Sequence, residues 1–235
     1  MKSKISAIAI IPARGNSKAI KKKNLKKIYG KSLVEYAIIA AKSSKFIDQI
    51  VISSENKKIL SFSNQYNCLK HIRPKNLLHD ETSTEEVIES ILKSNIFSKA
   101  DIIVLLEPTS PIRSIKTIDD AIQKLYNSKS NSIFTLCKTN KFFWIVKNDK
   151  FISIQKDQPR RRQLRNNVFF ECGTVYAVRY KYFKIHKKLI CNNPEHLVVK
   201  PEETIDINEK YDLEICLNEM KKIKQNKSYK YLFND

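Results

Sequence analysis

The chain has 235 residues, 42% of them hydrophobic, enough to bury a sizeable core in one large α/β domain. Lysine and arginine number 44 against 24 aspartates and glutamates, a formal charge of +20, but the excess is lysine spread along the whole chain, which compositional drift explains better than a nucleic-acid surface does. No apolar run nears the roughly 20 residues of a membrane helix, and Cys68, Cys137, Cys172, Cys191 and Cys216 lack the spacing of a disulfide framework or a zinc site, which points to a soluble protein of the reducing cytoplasm.

Ile5 to Ile11 follows Met1-Lys2-Ser3-Lys4 as the core of a signal peptide would. The run is short, however, and leads into Pro12-Ala13-Arg14 rather than a small-residue cleavage site, so it reads as a buried strand. Strands are then predicted at Gln49 to Ser53, Ile102 to Leu106 and Ser132 to Leu136. Between them, Leu33 to Lys42, Lys57 to Tyr66, Thr84 to Lys93 and Ile115 to Tyr126 carry apolar residues at helical spacing, with Asp80, Ser83 and Ser114 as candidate caps. Alternation of this kind predicts βα units building a mainly parallel sheet. From Cys137 to about Val168 the periodicity weakens, and the stretch reads as an insertion or hairpin arm. A strand follows at Thr174 to Val178, and a helix from about Asn208 to Lys224. Only three glycines occur, Gly15, Gly30 and Gly173, and each marks a place where the backbone needs unusual freedom or a close approach.

Chemistry concentrates after the first strand. Ile10-Ile11-Pro12-Ala13-Arg14-Gly15-Asn16-Ser17-Lys18, continuing to Lys23-Asn24, opens a buried strand into a loop of Gly, Ser, Arg and Lys, placing N–H groups and cations at the carboxyl edge of the sheet, where α/β folds bind ligands. The loop has neither the Walker pattern nor the GxGxxG fingerprint. By composition alone, a solvated basic loop and a phosphate site both remain open. Arginine, whose planar fork suits phosphate and carboxylate better than an ammonium does, occurs at only eight positions: Arg14, Arg73, Arg113, Arg160, Arg161, Arg162, Arg165 and Arg179. His71, His79, His186 and His196 share no metal-binding spacing and read as surface or structural residues.

The loop motif resembles the signature of the acylneuraminate cytidylyltransferases, the CMP-sialic acid synthetases and their relatives acting on other nine-carbon keto acids. Further segments of that resemblance follow in order: Val51-Ile52-Ser53-Ser54, Arg73-Pro74, Asp80-Glu81-Thr82-Ser83-Thr84, Leu105-Leu106-Glu107-Pro108-Thr109-Ser110-Pro111-Ile112-Arg113, Arg161-Arg162-Gln163, Gly173-Thr174-Val175-Tyr176 and Ile205-Asp206-Ile207-Asn208. The resemblance implies a three-layer, Rossmann-like nucleotide-diphospho-sugar transferase fold with a mainly parallel mixed sheet, in one domain over residues 1–235. It also implies a homodimer built through an arm at about 138–168. The implied reaction condenses CTP with a nonulosonic acid to give a CMP-sugar and pyrophosphate, for cell-surface glycan synthesis.

Carried onto this sequence, the resemblance gives Arg14 and Lys23 the catalytic roles. It puts Ala13, Arg14, Gly15, Asn16, Ser17, Lys23, Asn24, Arg73 and Thr84 on the nucleotide, Glu107, Arg162 and Gln163 on the sugar, and Asp206 and Asn208 on Mg²⁺. These roles suit an in-line displacement at the α-phosphorus, which needs positioning and charge neutralisation above all. Four positions depart from the pattern. Ala19 replaces a glycine, Glu107 a glutamine, Cys172 an asparagine and Asn208 an aspartate. Glu107 exchanges an amide donor for an acceptor, which suits a sugar presenting an amino or acetamido group, as a legionaminate-type acid does. Two other readings stay open: a nucleotide- or nucleic-acid-binding homologue impaired by Asn208, and a CTP-dependent transferase for an eight-carbon keto-deoxy acid.

Overall fold

The computed structural model describes residues 5–98, 100–155 and 159–233. Strand β1 (Ala7–Pro12) is apolar throughout, and its alternate side chains enter two different cores. A minimal hairpin, β2 (Lys27–Ile28) and β3 (Lys31–Ser32), turns through Tyr29 and Gly30, both at positive φ (47° and 85°), a conformation that costs glycine little. Helix α1 (Leu33–Ser43) starts on a capping box formed by Ser32 and Glu35, and nearly all of its residues are buried. β4 (Ile47–Ser54), α2 (Lys57–Gln65) and β5 (Leu69–Ile72) follow. α3 (Thr84–Lys93) is then held by a second capping box, with Ser83 Oγ accepting from Glu86 N (3.2 Å) and Glu86 Oε2 accepting from Ser83 N (2.7 Å). Each such cap contributes about 1 kcal/mol.

β6 (Ile102–Leu105), α4 (Ile115–Asn127) and β7 (Ser132–Thr139) complete the alternating part. Ser114 caps α4 as its sequence predicts, whereas Asp80 caps nothing and forms ion pairs instead. The chain next makes a separate hairpin, β8 (Trp144–Lys147) and β9 (Lys150–Ser153), and returns as the long β10 (Val168–Arg179), then α5 (Tyr180–His186), β11 (Glu195–Val198) and α6 (Lys210–Ile223). α6 starts at Lys210 rather than at Asn208, because Asp212 Oδ2 takes the N–H groups of Asn208 (2.8 Å) and Glu209 (2.7 Å) and closes its first turn.

The main sheet has seven strands in the order β11-β7-β10-β6-β1-β4-β5. Every pairing is parallel except those of β10, which runs antiparallel between β6 and β7. Ala7, Ala9 and Ile11 face α1, α2 and α4, while Ile8 and Ile10 face α3 and α5. This is the three-layer mixed α/β arrangement expected from the sequence. Each fully buried Ile or Leu contributes roughly 2 kcal/mol to it. A third cluster, centred on Tyr36, Ile112, Ile207 and Met220, seats α6 and the C-terminal segment beside the carboxyl edge of the sheet. That seating brings residues 206–208 to the loop after β1. Glu203 does much of the fastening, its carboxylate taking Ser114 N and the Tyr229 hydroxyl.

The arm expected from Cys137 to Val168 is a hairpin with its apolar side chains outward. Trp144, Val146, Phe151 and Ile154 are all more than half exposed. Arg165 stiffens its base, stacking on Phe142 with the guanidinium carbon 4.3 Å from the ring centre and donating to the carbonyls of Pro159, Arg160 and Asn140.

Candidate active site

At the carboxyl edge of the sheet a cavity of about 290 Å³ opens between the loop after β1, the segment leading into α3, the turn after β6, and residues 206–208. Of the residues expected there, Arg14, Ser17, Lys23, Asn24, Arg73, Thr84, Glu107, Asp206 and Asn208 all line it.

The nucleotide-side residues are fixed from below. Ala13 itself is buried in the core, and its N–H donates to Ser53 O (2.9 Å), so it anchors the loop rather than facing the cavity. Gly15 N–H donates to Glu55 Oε1 (2.7 Å), and a Cβ at this position would stand 2.6 Å from Asn56 Nδ2, so only glycine allows the loop to lie against the end of β4. Asn16 is exposed and lies outside the cavity lining. The 3-10 turn Lys23–Leu25 presents two of the expected residues. Asn24 Nδ2 donates to Arg14 O (2.9 Å), leaving the buried Asn24 Oδ1 without a partner. The Arg73 guanidinium is buried, donates Nη2 to Ser53 O (3.2 Å), and has no partner for Nε. Ser17 Oγ is likewise buried and unpartnered. Buried polar atoms are seldom left unpaired. Three of them on one wall mark where a polar ligand belongs.

Charge is graded across the cavity. Burial lowers the pKa of Lys23 from its ordinary value, and the Arg14 charge lowers it further, against the opposing pull of Asp206 and Glu107. Its Nζ donates to Ile207 O (2.8 Å) and Asn208 Oδ1 (3.2 Å), which ties the nucleotide side to the acidic side. Burial raises the Glu107 carboxyl above the usual carboxylate range, and the neighbouring Asp206 raises it further. Asp206 Oδ2 accepts from Asn208 Nδ2 (2.7 Å). Beneath Glu107 lies Arg113, wholly buried, which donates Nε to Thr174 O (2.6 Å) and Nη2 to Glu107 O. Complete burial pushes its pKa down to about 10. Arg113 thus holds the turn after β6 against β10.

Gln163 is not brought to this cavity. It is exposed on the 3-10 turn Arg162–Leu164 in the arm and lies outside the cavity lining, and the side chain of Arg162 lies outside the described part of the chain. Conversely, Asp80 and Glu55, which the sequence did not single out as site residues, contact the loop after β1 directly. Asp80 could have been found from its place in the Asp80-to-Thr84 motif. Glu55 carries no comparable signal.

The sequence profile of the cytidylyltransferase family matches residues 8–233, so it takes in every residue of the cavity wall. The chain belongs to that family. It is 26% identical over 223 residues to the N-acylneuraminate cytidylyltransferase of Escherichia coli O18:K1:H7, covering 92% of this chain and 52% of that protein. Over 122 residues it is 34% identical to the CMP-N,N'-diacetyllegionaminic acid synthase of Legionella pneumophila, covering 49% of this chain and 51% of the other. The chain therefore spans about half the length of these relatives. Among solved structures, CMP:2-keto-3-deoxy-manno-octonic acid synthetase complexed with CTP superposes with a TM-score of 0.71 at 15% identity, covering 92% of this chain and 99% of that one. The 2-C-methyl-D-erythritol 4-phosphate cytidylyltransferase of Francisella tularensis gives 0.65, also at 15% identity, covering 91% and 99%. Both likenesses establish the nucleotidyltransferase fold.

Proposed function

We propose that this cytidylyltransferase condenses CTP with a nonulosonic acid, releasing pyrophosphate and forming a CMP-sugar. The observation that carries the reading is the charge of the cavity lining, where the cations Arg14, Lys23 and Arg73 share one space with Glu107, Asp206 and Asn208. Arg14 and Lys23 neutralise the triphosphate as a hydroxyl of the sugar attacks the α-phosphorus and pyrophosphate leaves, which is the main task in phosphoryl-type transfer. Asn24 Oδ1, Arg73 Nε and Ser17 Oγ are free to orient the nucleotide.

The acidic wall suits Mg²⁺, which prefers oxygen donors and keeps waters and substrate phosphates in its shell. Asp206 and Asn208 would hold it with Glu107 nearby, and the cation would supply further positive charge at the phosphate oxygens. No three His, Cys, Asp or Glu side chains gather as a metal cluster among the described residues.

Glu107 narrows the sugar. A carboxyl group in this wall accepts from N–H groups and repels a second anion, which favours a nonulosonic acid bearing acetamido or amino substituents. The exposed apolar hairpin supports a homodimer joined through the arm, as burying Trp144, Val146 and Phe151 would remove a patch that water disfavours. Five free thiols support residence in a reducing cytoplasm.

Pyrophosphate release tests the reading. It should require CTP, Mg²⁺ and a nonulosonic acid together, and Arg14→Ala should lower kcat/KM by about 10²–10³-fold. Among sialic, legionaminic, pseudaminic and eight-carbon keto-deoxy acids, a diacetamido acid should be preferred. Equal use of sialic acid would remove the assignment of Glu107, and CTP binding without turnover of any sugar would remove the enzymatic reading.

A further inference from the structure

Three donors of the loop after β1 are held by the chain's own carboxylates. Asp80 Oδ1 accepts from Arg14 Nη1 (2.5 Å), and Asp80 Oδ2 from Lys18 Nζ. Glu55 Oε1 accepts from Gly15 N–H (2.7 Å). The two carboxylates come from different loops, one after β4 and one between β5 and α3, and meet on the same stretch of chain. Asp80 is held as a phosphoryl group would be, with two oxygens each facing one cation. Both bonds pull its pKa below the usual carboxylate range, so it stays charged throughout the neutral region. Asp80 also lines the cavity together with Arg14, so its carboxylate lies where a ligand must pass to reach that guanidinium.

A site containing Arg14, Lys23 and Arg73, with Lys18 at its edge, would retain any polyphosphate, including the product. An internal anion offsets that retention. Resting on the reading that the cavity takes CTP, we infer that Asp80 is a built-in competitor for the polyphosphate. CTP seats by displacing its carboxylate from Arg14 and Lys18, and the carboxylate recaptures both cations as pyrophosphate departs. Asp80 thereby sets the affinity for the phosphate end of the nucleotide and the ease of product release. Glu55 cannot serve in the same way, because its Oε2 is buried and Asn56 packs behind Gly15. It shapes the loop. The exposed Asp80 is the exchangeable partner.

Calorimetric titration of the full chain with CTP, pyrophosphate and cytidine, without sugar, tests the inference. Asp80→Asn should tighten CTP and pyrophosphate by about three- to tenfold, the range for two half-exposed ion pairs, and leave cytidine unchanged. Asp80→Ser should do the same, and Asp80→Glu should behave as wild type. In turnover, inhibition by pyrophosphate should strengthen by the factor seen in binding. CTP affinity that is unchanged or weaker in both neutral variants would overturn the inference, as would a cytidine shift parallel to that of CTP. If wild type bound CTP and the neutral variants did not tighten it, only the inference would fall. If wild type took up no CTP, the CTP reading would fall as well.

Discussion

The wall of the cavity and the arm treat water in opposite ways. In the wall, polar groups are driven into the protein, and buried contacts hold the framework around them. Arg113 bridges Thr174 and Glu107, Asn24 holds the loop after β1, and Glu203 fastens the C-terminal segment to the turn after β6. In the arm, apolar groups are driven out. Trp144, Ile145, Val146 and Phe151 stand in solvent on a two-stranded hairpin too small to bury them. The wall is braced by the rest of its own chain, and the apolar face of the arm stays exposed. One side chain removed from the wall should therefore be felt through the whole structure, and one removed from the arm only at that face.

The largest expected effect lies in the wall. Arg113→Leu leaves the carbonyls of Glu107 and Thr174 without their donor and should cost about 3–5 kcal/mol, read as a shift in the urea midpoint. A loss below about 1 kcal/mol would show that the guanidinium does not hold these strands. The arm should give a smaller effect on stability and a clear one on assembly. Val146 and Phe151 are cross-strand partners, and in the proposed homodimer replacing both by Asp should shift the particle to monomer in light scattering. Compared at dilutions where both forms are monomeric, unfolding free energy should change by less than about 1 kcal/mol. An unchanged mass would place the contact elsewhere.

The smallest effect sharpens the account of the wall itself. His71 is buried between the hydroxyls of Ser53 and Ser90, and burial, aided by Arg73, lowers its pKa from the ordinary 6.5. A depressed folded-state pKa means that the unfolded chain takes up the proton first as pH falls. The stability is therefore intact above about pH 6.5 and declines below it, until the folded-state pKa is passed. In His71→Gln the melting temperature should fall less steeply between pH 6.5 and 5 than in wild type. Equal slopes would assign the acid sensitivity to other groups.

Much of the wall was legible in the sequence because its signals are local. A strand opening into Arg14-Gly15, Arg73 before a proline, and Asp206 before a helix all keep their meaning without knowledge of the fold. Strands β5 and β11 and helix α5 leave no such local signal. Leu69–Ile72 and Glu195–Val198 are four-residue edge strands with little apolar periodicity, and Tyr180–His186 buries only Phe183. β10 was recognised only in part. Its antiparallel seat between β6 and β7, with the register shift between Cys172 and Tyr176, depends on long-range pairing that no short window of sequence displays. Asp80 shows the same limit, since a polar residue just before a helix reads as a cap until the loop it reaches is seen.

Strand β10 begins at the arm with Val168, meets Arg113 at Thr174, and ends at the half-buried Arg179, whose guanidinium donates to the carbonyls of Leu125, Tyr126 and Ser128. One unbroken stretch thus answers to three masters: the outward surface, the turn that carries Glu107, and the end of α4. Residues along it are not at liberty to drift independently. A change that shifts the strand at its outward end is passed along it to the turn that carries Glu107.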